Sequence, residues 1–143
     1  MIVADVIARL HALSPPVFRI VAGALELAAV REQPAAVPAA YVFIENEAAA
    51  ENEAMTGAVT QRVETDLAVV IVASNVSDAA GGALAADLEA IKRRVLVALL
   101  GWLPPQGDDI VTYVGSETIR MKGGYAACQL TFSAPYYLEA RDA

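Results

Sequence analysis

The stretch Val59-Thr60-Gln61-Arg62-Val63-Glu64-Thr65-Asp66-Leu67-Ala68-Val69-Val70-Ile71-Val72-Ala73 decides the fold. Val59, Val63, Leu67, Val69 and Ile71 fall on odd positions, and Thr60, Arg62, Glu64 and Asp66 on even ones. A period of two sends alternate side chains to opposite faces of a strand, so this is a strand with one apolar face and one face in water. Toward its end, Val69-Val70-Ile71-Val72 is apolar on both sides. That end must be covered on both faces, by a helix of the same chain or by another subunit.

After the strand, Ser74-Asn75-Val76-Ser77-Asp78 has turn chemistry, and Gly81-Gly82 leads into a helix over 83–100. Leu84, Leu88, Ile91, Val95 and Leu99 recur at helical spacing and form its buried stripe, with Glu89, Lys92 and Arg93 off it. Gly101 is placed to take the left-handed conformation that ends a helix, Trp102 to fold back on Leu96 and Val97, and Pro104-Pro105 to forbid resumption. Two closing strands are predicted, Ile110 to Met121 and Tyr125 to Tyr136, joined as a hairpin at Lys122-Gly123-Gly124.

In the other direction, Ala39 to Ile44 is β-branched, aromatic and free of breakers, which predicts a strand. Glu45-Asn46-Glu47-Ala48-Ala49-Ala50-Glu51-Asn52-Glu53 follows, with acids, no base and no large apolar residue before Met55. It is expected to be an exposed, mobile excursion. Further back, Ile2, Val6, Leu10 and Leu13 form one stripe of an amphipathic helix that Ser14-Pro15-Pro16 ends. Val17 to Val21 reads as a short strand, Ala24 to Val30 as a short helix, and Pro34 and Pro38 bracket a turn. The order predicts a single α+β domain over 1–143: an antiparallel-dominated mixed sheet of about four to five strands, with one long and two shorter helices on one face.

Composition narrows the function. The 143 residues carry 10 Lys+Arg and 17 Asp+Glu, a net charge of −7, which opposes nucleic-acid binding through a basic face. With 57% hydrophobic and 19% charged residues the chain has ample surface to bury. The acid at Asp5 and the short apolar run before Arg9 predict no secretory leader, and hence a cytoplasmic protein, in which the sequon Asn75-Val76-Ser77 is a loop. Val95 to Leu103 is about half of the roughly 20 residues that cross a bilayer, so no membrane span is expected.

Candidate chemistry is sparse. One histidine, His11, and one cysteine, Cys128, leave no metal finger, disulfide or Cys/His dyad within one chain. Cys128 reads as a small buried hydrophobe and His11 as a residue of a helix's last turn. The acid pairs Glu45/Glu47, Glu51/Glu53 and Asp108/Asp109 lie in polar loops with nothing to desolvate them, which is poor ground for a catalytic acid. Gly81-Gly82 and Gly123-Gly124 lack phosphate-loop spacing, and Lys92-Arg93-Arg94 reads as a solvated helix face. No enzyme, cofactor or metal is expected. A small ligand-binding α+β domain would show a polar residue pointing inward among Val63, Leu67, Val69 and Ile71, and none is expected; a dimeric regulatory module would differ in solution mass. What remains is assembly through an apolar strand that its own domain leaves over.

The sequence resembles the tail terminator, or tail completion, proteins of long-tailed bacteriophages, prophages and gene transfer agents. The resemblance rests on Gly23-Ala24-Leu25-Glu26-Leu27-Ala28, Pro38-Ala39-Ala40-Tyr41-Val42, the strand Arg62 to Ala73 and Asp78. It continues through Leu100-Gly101-Trp102-Leu103-Pro104, Tyr113-Val114-Gly115 and a closing strand with Phe132. Gly101, Trp102 and Pro104 are its most distinctive part. The resemblance implies a homo-oligomeric ring, typically a hexamer, assembled in the host bacterial cytoplasm and carried at the head-proximal end of the tail. Its implied partners are the major tail tube protein and a head–neck connector protein, with DNA only passing through the lumen and no membrane. Some of Glu45, Glu47, Glu51 and Glu53, with Arg62, would then face the channel, the tube or another subunit. A neighbouring head–tail joining protein is the alternative role.

Overall fold

A computed structural model describes residues 2–30, 34, 36–74, 82–122 and 124–141, with the backbone alone at 82–85, 120–122 and 141. The elements are α1 (Ile2–His11), β1 (Ile20–Ala22), α2 (Ala24–Ala29), β2 (Ala39–Ala49), β3 (Ala58–Ser74), α3 (Gly82–Leu99), β4 (Thr112–Lys122), β5 (Tyr125–Ser133) and β6 (Tyr136–Arg141). They build an open six-stranded sheet in the order β1-β2-β3-β5-β4, with β6 also paired to β3. Only β1 with β2 is parallel. The fold is α+β with an antiparallel-dominated mixed sheet, as expected, but with six strands instead of four to five.

β3 is the spine because it runs for 17 residues without a breaker, alternating over its first half and buried on both faces from Leu67 to Ile71. Along one edge it pairs with β2 from Ala39↔Val72 to Ala49↔Val63. Along the other it takes β5 over Asp66–Ser74 and β6 over Ala58–Val63. The expected closing strand Tyr125 to Tyr136 is therefore two strands. Pro135 has no N–H to give the ladder, and the chain kinks there before pairing resumes at Tyr136.

Val69, Ile71 and Leu67 of β3 meet Leu130, Cys128 and Phe132 of β5, and the same face takes Val6 and Leu10 of α1 and Leu88, Val95 and Leu99 of α3. Those helix residues are the predicted stripes of both helices; Leu84 lies outside the described side chains. On the opposite face, Ala39, Tyr41 and Val70 are covered by Leu27 of α2 and by Val30. The helices thus do not share one face, which corrects the expectation. Val70 and Tyr41, directly opposite each other on neighbouring strands, need a cover of their own, and α2 supplies it from the same chain.

Gly101 ends α3 with φ +75, and no atom lies within 4 Å of where a Cβ would stand. The cost of a side chain there is backbone strain alone. Gly101→Ala is expected to lose about 1–2 kcal/mol of stability, read as a lower urea midpoint with an unchanged slope. The predicted turns at 74–78 and 122–124 and the glycine entry to α3 fall partly or wholly on residues 75–81 and 123, outside the described ones, as do the sequon and Asp78.

Tyr41 is 2% exposed, and burial raises its phenol above the ordinary 10.0. The neutral form is the one the fold prefers, so this part of the stability is full below about pH 10 and is lost as pH rises through the native value. Urea midpoints measured from pH 8 to 11 are expected to fall at the alkaline end, and to fall less in Tyr41→Phe.

Candidate functional site

The stretch read as a mobile excursion is ordered. β2 runs on through Glu45, Asn46, Glu47 and Ala48 to Ala49, paired with β3 down to Val63. Beyond it the backbone ladder continues, with the N–H of Ala50 on the Arg62 carbonyl and that of Glu53 on the Thr60 carbonyl, both at 2.8 Å. A strand needs no large apolar side chain when a long neighbour such as β3 satisfies its backbone, and that neighbour is what local composition leaves out. With β6 behind it, this hairpin forms a three-stranded arm whose β2 residues are exposed from Glu45 outward.

The arm also separates the acid pair. A register shift between Ile44 and Asn46 leaves Glu45 as the extra residue of a bulge. Without it, Glu45 and Glu47 would share a face. With it, the Glu45 carboxylate accepts from Gln129 Nε2 at 2.8 Å, while Glu47 turns to the other face and accepts from the Tyr136 hydroxyl at 3.0 Å. Two carboxylates on opposite faces of a sheet cannot act on one atom.

Glu47 and Tyr136 sit at a cleft of about 280 Å³ whose walls include Ile2, Val3, Ile44 and Thr65. Thr65 is the inward-pointing polar residue that the alternation of β3 was not expected to contain. It is 1% exposed, and its hydroxyl donates to the Ala134 carbonyl. That carbonyl belongs to the break before Pro135, where the ladder of β5 stops, so the threonine replaces a missing backbone partner. Burial, with Glu47 beside it, raises the Tyr136 phenol above its ordinary value. The phenol therefore stays protonated and donates to Glu47, an arrangement that ties β6 to β2.

Arg62 lies on the opposite face of the arm. Its Nε is 2.6 Å from Glu64, its guanidinium reaches Asp109 at 3.3 Å, and it stacks over the Tyr137 ring at 5.8 Å. These contacts hold its protonated form beyond its ordinary range. Asp108 accepts from the N–H of Tyr137 at 2.7 Å, covering a backbone group on the open edge of β6. Asp108 and Asp109, read as loop charge, are thus the clamp between arm and body.

Gly101, Trp102 and Pro104 are packing residues. Trp102 and Leu96 both pack against the core, while Val97 is 77% exposed. The indole lies under Arg9 of α1, 4.5 Å from the guanidinium carbon, and Arg9 Nε donates to the Ala98 carbonyl at 2.6 Å. The sequence could not place α1 beside the end of α3, since that neighbour comes from the sheet's connectivity. Gly101 and Trp102 exchange backbone bonds with Val111 at 2.9 and 2.8 Å, and Pro104 is buried. His11 is exposed, and Cys128 is buried, with its thiol pushed up by that burial. Of the basic cluster, Arg94 donates to the Pro15 carbonyl.

Exposed apolar surface among the described residues includes the β4 edge, the arm tip and the outer side of α3. β4 pairs only with β5, and its Tyr113, Val114 and Ile119 are exposed. Two register shifts bend that edge, a device that limits indiscriminate strand pairing. The arm ends in Met55. The outer side of α3 carries a groove with Val97 and Leu100. No group of three or more His, Cys, Asp or Glu that could hold a metal occurs among the described residues, and no described helix is long and apolar enough to cross a membrane.

A family model described as phage tail terminator protein matches residues 1–142. No curated protein matches the chain. Among solved structures, 28 chains match. One, from the "Virion of native gene transfer agent (GTA) particle", is 20% identical with a TM-score of 0.59, over 94% of this chain and 93% of that one. At that identity the likeness is one of fold.

Proposed function

The chain belongs to the phage tail terminator family, and from that premise we propose that it forms a ring on the last layer of the tail tube, ends tail elongation and offers the surface to which the head attaches. Membership points to a structural, non-enzymatic part in virion assembly. The finer reading adds a mechanism, which is competition for an interface. A subunit that matches the growing end of the tube without presenting a new copy of that end leaves elongation no template.

The observation that carries this reading is the family match along the whole described sheet, and the surface is suited to it. The apolar, unpaired edge of β4 offers backbone groups and exposed side chains to a neighbour. Glu45, Glu64 and Asp66 share one face of the arm with Arg62, which pairs with Glu64, and the net negative charge left there would repel DNA phosphates and let the genome slide through a lumen.

Mixing the purified protein with assembling tail tube protein tests the proposal. The expected result is shorter tubes with a ring at one end in negative stain, and a ring mass, hexameric by family expectation, in native mass spectrometry. A monomer that leaves tube length unchanged would overturn it. Binding to the head connector alone, with tubes ignored, would assign the protein to the head–tail joint instead.

A further inference from the structure

The tip of the arm is built to present one side chain. Asn52 Oδ1 accepts from the N–H of Ala54 at 3.0 Å and of Thr60 at 2.9 Å, and its Nδ2 donates to the Ala58 carbonyl at 3.3 Å. Gln61 Nε2 adds a bond to the Ala50 carbonyl at 2.9 Å. A single asparagine thus organises a turn that would otherwise cost entropy to order on binding. On that turn Met55 is 95% exposed, with Glu51 and Glu53 shortly before it and no base between Glu45 and Gln61. Six residues of β2 from Ile44 carry the tip roughly 20 Å outward at the usual rise of a strand.

A second feature is complementary to the first. The outer side of α3 holds a groove of about 440 Å³ lined by Glu89, Arg93, Leu96, Val97 and Leu100. Val97 is 77% and Leu100 45% exposed, and Arg93 belongs to the run Lys92-Arg93-Arg94. None of the lining residues comes from the arm. The chain therefore carries an acidic knob with an apolar end and, elsewhere, an apolar groove that bears Arg93, with Glu89 one helical turn before it.

We propose that the arm tip of one copy seats in the α3 groove of the next. Met55 lies against Leu96, Val97 and Leu100, with Glu51 and Glu53 beside Arg93. Methionine suits such a site because its unbranched thioether fills irregular grooves. Knob and groove are different surfaces, so each copy gives to one neighbour and receives from the other, the heterologous contact that closes into a ring when the rotation per copy permits. This inference rests on the ring reading above and names the contact that would join its subunits.

Two experiments decide it. In the first, Met55→Cys and Val97→Cys proteins are prepared separately, mixed and mildly oxidised. A covalent dimer is expected in the mixture well above the level in either protein alone; Cys128 is buried and does not compete. In the second, the double variant Glu51→Lys/Glu53→Lys and the single variant Arg93→Glu are each expected to weaken ring formation at least tenfold, read as ring mass at fixed concentration. Combining all three substitutions is expected to restore most of it. Urea midpoints check that the variants remain folded. Intact rings that neither cross-link nor respond to charge reversal would overturn the contact and leave the ring reading standing. Cross-linking of the Met55→Cys tip to tube protein and not to a second copy would overturn it in favour of a tube contact. A wild-type protein that is monomeric with and without tubes would overturn both.

Discussion

Phe132→Ala is expected to remove about 3–5 kcal/mol of stability, a large share of the roughly 5–15 kcal/mol that holds a domain of this kind folded. Phe132 is fully buried. It stands opposite Leu67 on the spine strand and 5.5 Å from the Tyr113 ring across β4. Its partners Leu67 and Tyr113 stand on strands held in register by their ladders, which limits how far the cavity left behind can collapse. Urea denaturation of the variant should show a much lower midpoint with an unchanged slope. Phe132→Leu, which keeps most of the volume, should lose about 1–2 kcal/mol. A variant as stable as the parent would mean that the core does not close on this side of the sheet.

The second large effect concerns the most distinctive residue of the family resemblance. Trp102→Ala is expected to cost about 2–4 kcal/mol, from the loss of a half-buried indole together with its contact to the guanidinium of Arg9. Arg9→Lys keeps a charge near the end of α3 but loses the planar stack, and it should recover little. A double-mutant cycle between the two positions should give a coupling of about 1 kcal/mol. The readout is again urea denaturation, with tube binding measured beside it. Unchanged stability with lost tube binding would move Trp102 from the packing of α1 against α3 to an assembly surface.

The acidic stretch shows how far local pattern reaches. From Glu45 to Glu53 there is no apolar anchor, and by composition alone the segment reads as mobile. Its order comes from β3, which is long enough to carry a partner past the end of the core, and from Asn52, whose hydrogen bonds go to Ala54, Ala58 and Thr60. An asparagine in a polar run is common, and nothing in the run says which backbone groups will come within its reach. Thr65 is a similar case. Its odd position in β3 marks it as inward, yet its partner carbonyl at Ala134 exists only because Pro135 breaks a strand 69 residues away.

The helices divide in the same manner. The stripes Ile2-Val6-Leu10 and Leu88-Val95-Leu99 were legible because a buried helix face repeats with the turn of the helix, whatever it packs against. The side of the sheet that α2 takes was not. Leu27 carries no mark of which face it will cover, and that depends on where the β1–β2 connection carries α2, which is onto the face where Tyr41 and Val70 stand opposite each other.

By itself, then, the sequence determined what depends on neighbours along the chain. The alternation of β3, the helical stripes, the glycine stop at Gly101, the buried Cys128 and the family's pattern all follow from side-chain periodicity and backbone sterics within a few residues. Tertiary structure alone decided what depends on residues brought together from afar. The sheet turns an acidic run into a rigid arm, sends Glu45 and Glu47 to opposite faces, clamps Arg62 to Asp109 and stacks Trp102 on Arg9. Each of these is a contact whose partner is selected by strand register and packing, and no local pattern encodes that choice.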